Sequence, residues 1–314
     1  MHKAILHDHL DGGLRPSTAL ELAKEISYSP LLEAADITLF FDRSDSTSLD
    51  HYLEAFTHTI ALMQTAENLE RIAYEAAEDM HNNGITMYES RYAPFYSVNE
   101  VLSPTRVLDA INSGFVKAEN DFGIKSGLIL CGMRHDHENV ELVAELAIDN
   151  KQKIIGFDIA GPELNFMPSL FHESFNKVKE VGINITIHAG EGDGVLSIKD
   201  ALSNGALRIG HGVRIIEDVN VETGQLGDTS KEIIDRQIPL EVCITSNMHT
   251  NMYHQVSDHP IKNLIDLGFN ISLNTDNRLM SNTSVSKEIQ IAESLGIANV
   301  EQLLSNSASY SFLD

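Results

Sequence analysis

Short apolar, β-branched segments recur along the chain, and most of them follow a stretch with helical periodicity. Eight such segments predict strands: Ala4–Leu6, Ile85–Tyr88, Gly127–Cys131, Ile154–Ile159, Asn184–Ile187, Leu207–Ile209, Leu240–Ile244 and Asn270–Leu273. Most of them are apolar on both faces, which is typical of parallel strands that are covered by helices.

Helical signals lie between these strands. Ser48 is a suitable N-cap, and after it apolar residues recur at helical spacing: Leu49, Leu53, Phe56 and Ile60. A cap residue followed by proline, Ser103-Pro104, predicts the start of another helix. The stretch from Ile26 to Thr65 is too long for a bare connection and predicts additional helices.

The alternation of eight strands with helices predicts an α/β fold, a (β/α)₈ TIM barrel with extra helices over its C-terminal mouth. An open, doubly wound sheet is the alternative, but no glycine-rich G-x-G-x-x-G turn follows the first strand. We find no repeat, low-complexity tract or linker, and therefore treat residues 1–314 as a single domain.

Composition excludes several classes of protein. Of 314 residues, 42% are apolar and 22% charged, which predicts a folded chain with a buried core. The 46 acidic and 22 basic residues give a net charge of −24, so we expect binding to neither nucleic acid nor membranes. Only two cysteines are present, too few for a disulfide framework, and the chemistry that begins at His7 leaves no room for a signal peptide. We expect a soluble, cytoplasmic protein.

Polar residues cluster at the ends of the predicted strands. They are His7-Asp8-His9 after the first strand, His188-Ala189-Gly190-Glu191 after the fifth, His211 after the sixth and Asn274-Thr275-Asp276-Asn277 after the eighth. Because all strands of a barrel point the same way, these groups are expected to converge on its C-terminal face.

This convergence predicts a metal site. His7 and His9 are two apart on one strand and so share a side, and with His188 and Asp276 they offer the donors that zinc prefers. Glu191 is then beside the metal, where general acid/base catalysis of hydrolysis with a zinc-bound water requires a carboxyl group. Residues 154–161 contain no lysine that could bridge two metals, so one zinc ion per chain is expected.

The remaining histidines have simpler interpretations, because a lone His-x-His is usually a coincidence. We predict that His135 and His137, in the loop after the third strand, are solvated. We predict that His249, His254 and His259, after the seventh strand, are surface or lid residues. His51 and His58 are expected to face solvent from a helix.

Five motifs resemble those of adenosine deaminases. They are His7-Asp-His9-Leu-Asp11-Gly12, Gly156-Phe-Asp-Ile-Ala-Gly161, His188-Ala-Gly-Glu191, Gly210-His211-Gly212 and Ser272-Leu-Asn-Thr-Asp276. The likeness runs through nearly the whole chain in the right order. The segment Asn274-Thr-Asp-Asn-Arg-Leu-Met-Ser281 is most similar to bacterial members.

The resemblance implies a role for each of these residues. Zinc would be bound by His7, His9, His188 and Asp276, of which Asp276 also takes part in catalysis and His9 also contacts the substrate. Glu191 would protonate the purine at N1, and His211 would orient the zinc-bound water and help to deprotonate it. The N–H of Gly161 would bond to N3, and Asp11 would bind the 5′-hydroxyl of the ribose. The implied reaction converts adenosine and 2′-deoxyadenosine to inosine and 2′-deoxyinosine plus ammonia, as in purine salvage.

One position departs from the family pattern. Where many members have a second aspartate that bonds to purine N7, this chain has Asn277, whose amide can donate to N7 without a proton. This leaves the exact substrate open, with adenine or a modified purine nucleoside as the alternative. An AMP-type substrate would need a cationic pocket, for which Arg15 and Arg91 are candidates in principle, although the acidic balance disfavours it. A non-catalytic binding protein is a further hypothesis, and the oligomeric state stays open.

Overall fold

The computed structural model describes residues 2–313, and within them eight parallel strands form one sheet in which neighbours along the chain are neighbours in space. In chain order the barrel strands are β1 Ala4–Ile5, β2 Met87–Tyr92, β3 Lys125–Met133, β4 Gly156–Ala160, β5 Asn184–Ala189, β6 Arg208–His211, β9 Leu240–Val242 and β10 Ile271–Leu273. A short antiparallel hairpin, β7 Val219–Asn220 with β8 Gln225–Leu226, lies between β6 and β9. The predicted (β/α)₈ barrel is confirmed.

The first and last strands are joined just beyond their ends. Asp8 and Asp276 form a parallel bridge. The backbone carbonyl of Asp276 accepts a hydrogen bond from the N–H of His9, and the N–H of Asp276 donates to the backbone carbonyl of His7. The Asp8 carboxylate also accepts hydrogen bonds from Thr275 and Arg278, at 2.9 and 2.8 Å. The barrel is thus closed by the same residues that carry the candidate chemistry.

Five strands, β2 to β6, end later than their apolar pattern predicts, and the second and the sixth show why. The second was expected at Ile85–Tyr88 but runs from Met87 to Tyr92, and the sixth continues to His211. The reason is that polar side chains of these strands point into the barrel, where their charges are paired. Arg91, for example, is fully buried and lies within 2.8 Å of both Asp158 and Glu241.

Helices surround the barrel. The α-helices are α1 Pro16–Glu25, α2 Ser29–Leu32, α3 Ile37–Phe41, α4 Leu49–Leu53, α5 Phe56–Leu62, α6 Ala66–Asn82, α7 Pro104–Phe122, α8 His137–Asp149, α9 His172–Glu180, α10 Val195–Ser203, α11 Asp228–Asp235, α12 Ile244–His249, α13 Ile261–Asp266, α14 Val285–Ser294 and α15 Val300–Tyr310. Short 3₁₀ turns connect several of these elements. Across residues 2–313, none of these helices is both long and apolar enough to cross a membrane.

The inserted segment between β1 and β2 contains the predicted extra helices, but the pattern after Ser48 gives two helices instead of one. Ser48 accepts a hydrogen bond from the N–H of His51 and starts α4, which ends at Leu53. A second helix, α5, then begins at Phe56. The second N-cap was predicted correctly, since Ser103 accepts a hydrogen bond from the N–H of Arg106 at the start of α7.

The C-terminal segment covers the end of the barrel opposite the candidate site. Glu89 of β2 accepts hydrogen bonds from the hydroxyl of Ser311 and the backbone N–H of Phe312. The Phe312 ring lies against the guanidinium of Arg208, 3.6 Å away, and Arg208 donates to the carbonyl of Tyr310. Arg208 and Glu89 also form a buried ion pair at 2.6 Å. Together these contacts attach the C-terminal segment to this end of the barrel.

Candidate active site

The four predicted metal ligands meet at the C-terminal face of the barrel. The Nε2 atoms of His9 and His188 are 3.1 Å apart, and Oδ1 of Asp276 lies 3.4 Å from Nε2 of both His7 and His9. Two overlapping groups have donor atoms within 4.8 Å of one another: His7 with His9 and His188, and His7 with His211 and Asp276. The second group includes His211, for which the family resemblance implied a role in orienting the zinc-bound water.

The unpartnered atoms at this centre fit a metal ion. Nε2 of His7 and Oδ1 of Asp276 are both buried, and within the described part of the chain neither has a hydrogen-bond partner. Buried polar atoms are normally bonded, so two orphaned electron-pair donors that face each other indicate a cation between them. Imidazole nitrogens with one carboxylate are a donor set that zinc favours.

Two buried carboxylates orient the ligand histidines. Nδ1 of His7 lies 2.9 Å from Glu241, and Nδ1 of His188 lies 2.9 Å from Asp158. A carboxylate at Nδ1 holds the proton there and leaves Nε2 free as a donor to a metal. We did not predict either role. The available signal was an acidic residue inside each of two otherwise apolar strands, at Glu241 and Asp158.

Both arginines named as possible phosphate ligands are already paired. Arg91 is fully buried between Asp158 and Glu241, and Arg15 bonds to Glu78 and Asp79 of α6 at 2.6 Å. Neither guanidinium is free for a substrate phosphate, which agrees with the expectation, drawn from the acidic balance, that an AMP-type substrate is disfavoured.

Glu191 is buried next to His211. Its Oε2 lies 3.4 Å from Nε2 of His211, and burial, together with the negative charges of Asp276 and Glu163, raises the pKa of the Glu191 carboxyl well above its ordinary value. The turn that carries Glu191 is held by Glu163, whose carboxylate accepts hydrogen bonds from the N–H groups of Gly190, Glu191 and Asp193. Glu163 is a further residue that the sequence analysis missed, because its partners are far away along the chain.

Three candidate site residues lie in the left-handed backbone region. His211 has φ of +61°, Asp276 of +56° and Gly161 of +93°. For a residue with a side chain this conformation costs on the order of 1–3 kcal/mol and is concentrated at functional sites. Gly161 avoids the cost, and a Cβ there would come within 3.2 Å of the His135 ring.

A cavity of about 300 Å³ opens beside these residues. It is lined by candidates from every predicted motif: His9, Asp11, Gly161, His188, Glu191, His211, Asp276 and Asn277. Leu49, Tyr52 and Phe56 of α4 and α5 cover the other side, so the inserted helices do lie over the barrel mouth. The Tyr52 hydroxyl bonds to Ser281 at 2.7 Å, which fastens α4 to the loop after β10.

Two residues predicted to contact substrate have unpartnered oxygens here. Oδ1 of Asp11 and Oδ1 of Asn277 are buried and have no hydrogen-bond partner among the residues that the structure describes, and burial raises the pKa of Asp11 to about 7. Asn277 packs directly on Gly12, where a Cβ would come within 2.1 Å of its side-chain oxygen. Position 12 must therefore be glycine for Asn277 to occupy this place.

The other histidines match their predictions only in part. His135, His137 and His254 are exposed as predicted, although His135 also borders the cavity. His58 is half-buried and bonds to the Tyr28 hydroxyl at 2.9 Å, and His259 is 4% exposed, so the prediction of surface positions is wrong for both. His259 lies in a polar stretch of sequence, and His58 lies on α5, so in both cases burial depends on contacts made after folding.

Comparisons with known proteins fit this site. A family model described as adenosine deaminase matches residues 2–314. Adenosine deaminase 1 of Streptomyces coelicolor is 44% identical over 310 residues, which cover 94% of this chain and 78% of the relative. The chain belongs to the adenosine deaminase family. The family resemblance predicted from its motifs is thus confirmed.

Solved structures show the same fold as this adenosine deaminase family member. An adenine deaminase from Arthrobacter aurescens superposes with a TM-score of 0.90 at 24% identity, covering 99% of this chain and 94% of its own. An amidohydrolase from Burkholderia ambifaria, described with bound zinc, has a TM-score of 0.86 at 24% identity over 100% of this chain and 86% of its own. At this identity the likeness establishes the fold alone.

Proposed function

We propose that this chain hydrolyses adenosine and 2′-deoxyadenosine to inosine and 2′-deoxyinosine with release of ammonia. The observation that carries the proposal is the meeting of three imidazoles, the Asp276 carboxylate and the buried Glu191 at one cavity of an adenosine deaminase family chain. A buried acid beside a metal-compatible centre is what hydrolysis at a ring carbon requires.

The proposed cofactor is one zinc ion per chain, held by His7, His9, His188 and Asp276. The orphaned Nε2 of His7 and Oδ1 of Asp276 support this set. A zinc ion bound there would lower the pKa of water to about 7 and so supply hydroxide near neutral pH. Glu241 and Asp158 hold the rings of His7 and His188 in the orientation that ligation needs.

Glu191 is the proposed acid. Burial raises the pKa of its carboxyl well above the ordinary value and so favours the neutral form, which can give a proton to purine N1. Protonation at N1 draws electrons from C6, and the water oxygen then adds to that carbon. Of the two protons of the water, one restores the Glu191 carboxyl and the other goes to the amino group, so that the C6–N6 bond breaks with release of ammonia and a C6 carbonyl is left in the product. The N–H of Gly161 would bond to N3 and hold the ring in place.

The cavity favours a nucleoside over a nucleotide. Among the described residues that line it there is no lysine or arginine, so nothing there would balance a 5′-phosphate. Asp11 would instead accept a hydrogen bond from the 5′-hydroxyl, and Asn277 would donate its amide to N7. A free base would leave the buried Asp11 oxygen unpartnered.

A panel of purines tests the proposal through the ultraviolet absorbance change on deamination. We expect adenosine and 2′-deoxyadenosine to react with the highest kcat/KM, ahead of adenine, AMP and modified nucleosides. A higher kcat/KM for adenine or for a modified nucleoside would change the substrate assigned to the protein but would leave the proposed reaction unchanged. No turnover of any purine by zinc-loaded protein would favour a binding protein on the same scaffold.

A further inference from the structure

A buried chain of polar groups runs from a backbone N–H to His211. The N–H of Ile261 donates to Nδ1 of His259 at 3.3 Å. Nε2 of His259 lies 3.3 Å from Oδ1 of Asn247, and Nδ2 of Asn247 lies 3.1 Å from Nδ1 of His211. The side chains of His259, Asn247 and His211 are buried, so each depends on its neighbour for a hydrogen bond.

The backbone N–H fixes the direction of this chain, because it can only donate. His259 must accept on Nδ1, and burial lowers the pKa of His259 to about 3, so the ring is neutral and carries its proton on Nε2. That proton needs an acceptor, which is the Asn247 oxygen. The Asn247 amide group then donates to His211, whose Nδ1 accepts.

The reversed order of donors and acceptors is incompatible with the backbone N–H of Ile261. If the Asn247 amide were turned over, its NH₂ group would face His259, which would have to accept on Nε2 and carry its proton on Nδ1. That proton would point at the N–H of Ile261, so two donors would face each other, and neither has another acceptor among residues 2–313.

We propose that His259 and Asn247 are positioning residues that fix the tautomer of His211, with its proton on Nε2. That nitrogen lies 3.4 Å from Oε2 of Glu191 and faces the cavity. A protonated Nε2 offers no electron pair, so His211 is not a metal ligand, although its donor atoms lie close to His7 and Asp276.

The consequence for the reaction rests on the proposed function. With its proton already on Nε2, neutral His211 donates a hydrogen bond to the attacking oxygen and so orients one of its electron pairs towards C6. It does not remove a proton from that oxygen. The family resemblance implied both actions for His211, and the buried chain of hydrogen bonds assigns it the first of them.

The tautomer can be observed directly. Long-range ¹H–¹⁵N spectra of protein labelled with ¹⁵N-histidine distinguish protonated from unprotonated ring nitrogens, and a His211→Gln variant assigns the signals. In substrate-free protein, both metal-free and zinc-loaded, we expect Nδ1 of His211 to be unprotonated and Nε2 to be protonated. A proton on Nδ1 of His211 in the zinc-loaded wild type would overturn the proposal.

A matched pair of variants tests whether His259 sets the tautomer. In His259→Gln the side-chain oxygen can accept from Ile261 and the NH₂ group can donate to Asn247, so the direction of the chain is kept. In His259→Glu no donor remains, Asn247 turns its NH₂ group towards the carboxylate, and the proton of His211 moves to Nδ1. We expect kcat/KM for adenosine to be about 10- to 100-fold lower in the Glu than in the Gln variant.

Identical His211 tautomers in the two variants would overturn the role of His259. If His259→Glu does not fold, Asn247→Asp gives the same test, because an aspartate cannot donate to Nδ1 of His211. His254→Gln, at an exposed histidine five residues before His259, is the control and should leave the His211 signals unchanged. Failure of the wild type to deaminate adenosine would overturn the proposed function, but it would leave these substrate-free spectra unaffected.

Discussion

The carboxylate of Glu163 holds the backbone turn on which Glu191 lies. Its oxygens accept the N–H groups of Gly190, Glu191 and Asp193 at 2.6, 2.9 and 3.0 Å. Glu163 follows β4 and the turn follows β5, so one buried side chain couples the ends of two neighbouring strands. Its negative charge also helps to raise the pKa of Glu191.

Replacement of Glu163 by glutamine should loosen this turn. The amide has one accepting oxygen and one NH₂ group, and the latter would face a backbone N–H. We expect kcat to fall about 10- to 100-fold with zinc content unchanged, as is usual for a residue that orients another. Glu173→Gln, at an exposed position of α9, is the control for loss of a carboxylate. Equal kcat values in the two variants would show that Glu163 is not needed to position Glu191.

Glu191→Gln separates proton transfer from binding. The amide has the same shape and can still donate a hydrogen bond, but it cannot transfer a proton. We expect zinc content and purine affinity to stay near wild type while kcat falls by about 10²–10⁴. If Glu191 only orients His188, zinc affinity should fall instead and added zinc should restore the rate. Turnover within a few-fold of wild type with zinc bound would remove Glu191 from the mechanism.

Metal content tests the ligand set. Elemental analysis should find one zinc ion per chain, and strong chelation should abolish activity. His188→Ala should lose zinc as well as rate, because three protein ligands hold the ion less well than four. His137→Ala is the matched control at an exposed histidine and should keep both. Two tightly bound metal ions per chain would contradict the mononuclear site.

Asp11 should discriminate between nucleosides. A carboxylate that accepts from the 5′-hydroxyl contributes roughly 1.5–3 kcal/mol, which corresponds to about 10- to 150-fold in kcat/KM. Asp11→Ala should therefore reduce turnover of adenosine much more than turnover of 5′-deoxyadenosine, which lacks that hydroxyl. Equal losses on the two substrates would show that Asp11 does not bind the ribose.

Glu288 should make stability depend on pH without any role in catalysis. Burial raises its pKa from an ordinary value of 4.5 to about 7, although Thr245 and Thr283 donate to it. A raised carboxyl pKa means that the folded state binds the extra proton, so stability is lost as pH rises through about 7. Between pH 5 and 8 the wild type should lose roughly 2–3 kcal/mol of unfolding free energy relative to Glu288→Gln. If the unfolding free energy of both proteins changes by the same amount between pH 5 and 8, this prediction is wrong.

The sequence predicted the barrel because each strand carries its own apolar pattern, and it predicted the site because polar residues follow those strands directly. His7, His188 and Asp276 are examples, because recognition of the strand that precedes each of them places its side chain at the C-terminal face of the barrel. Their partners Glu241 and Asp158 have only a weak local signal, because an acidic residue inside an apolar strand can be interpreted only when the residue opposite it is known.

Burial was also hard to predict where it depends on long-range packing. His259 lies in a polar stretch and was assigned to the surface, yet it is enclosed after folding and bonded to Asn247. The single-domain organisation, the site roles, the single zinc ion and the cytoplasmic location stay predictions.

A series of buried contacts connects the candidate site with the opposite end of the barrel. His7 contacts Glu241, Glu241 contacts Arg208, and Arg208 contacts Glu89, which accepts the amide proton of Phe312. A cation bound at Nε2 of His7 would make the Nδ1 proton more positive and so strengthen its contact with Glu241, and because it binds only the folded state it would stabilise the connected pairs against opening. Amide hydrogen exchange at Phe312 should therefore slow when the site is loaded, so one peptide group at the base of the barrel would report metal occupancy at its mouth.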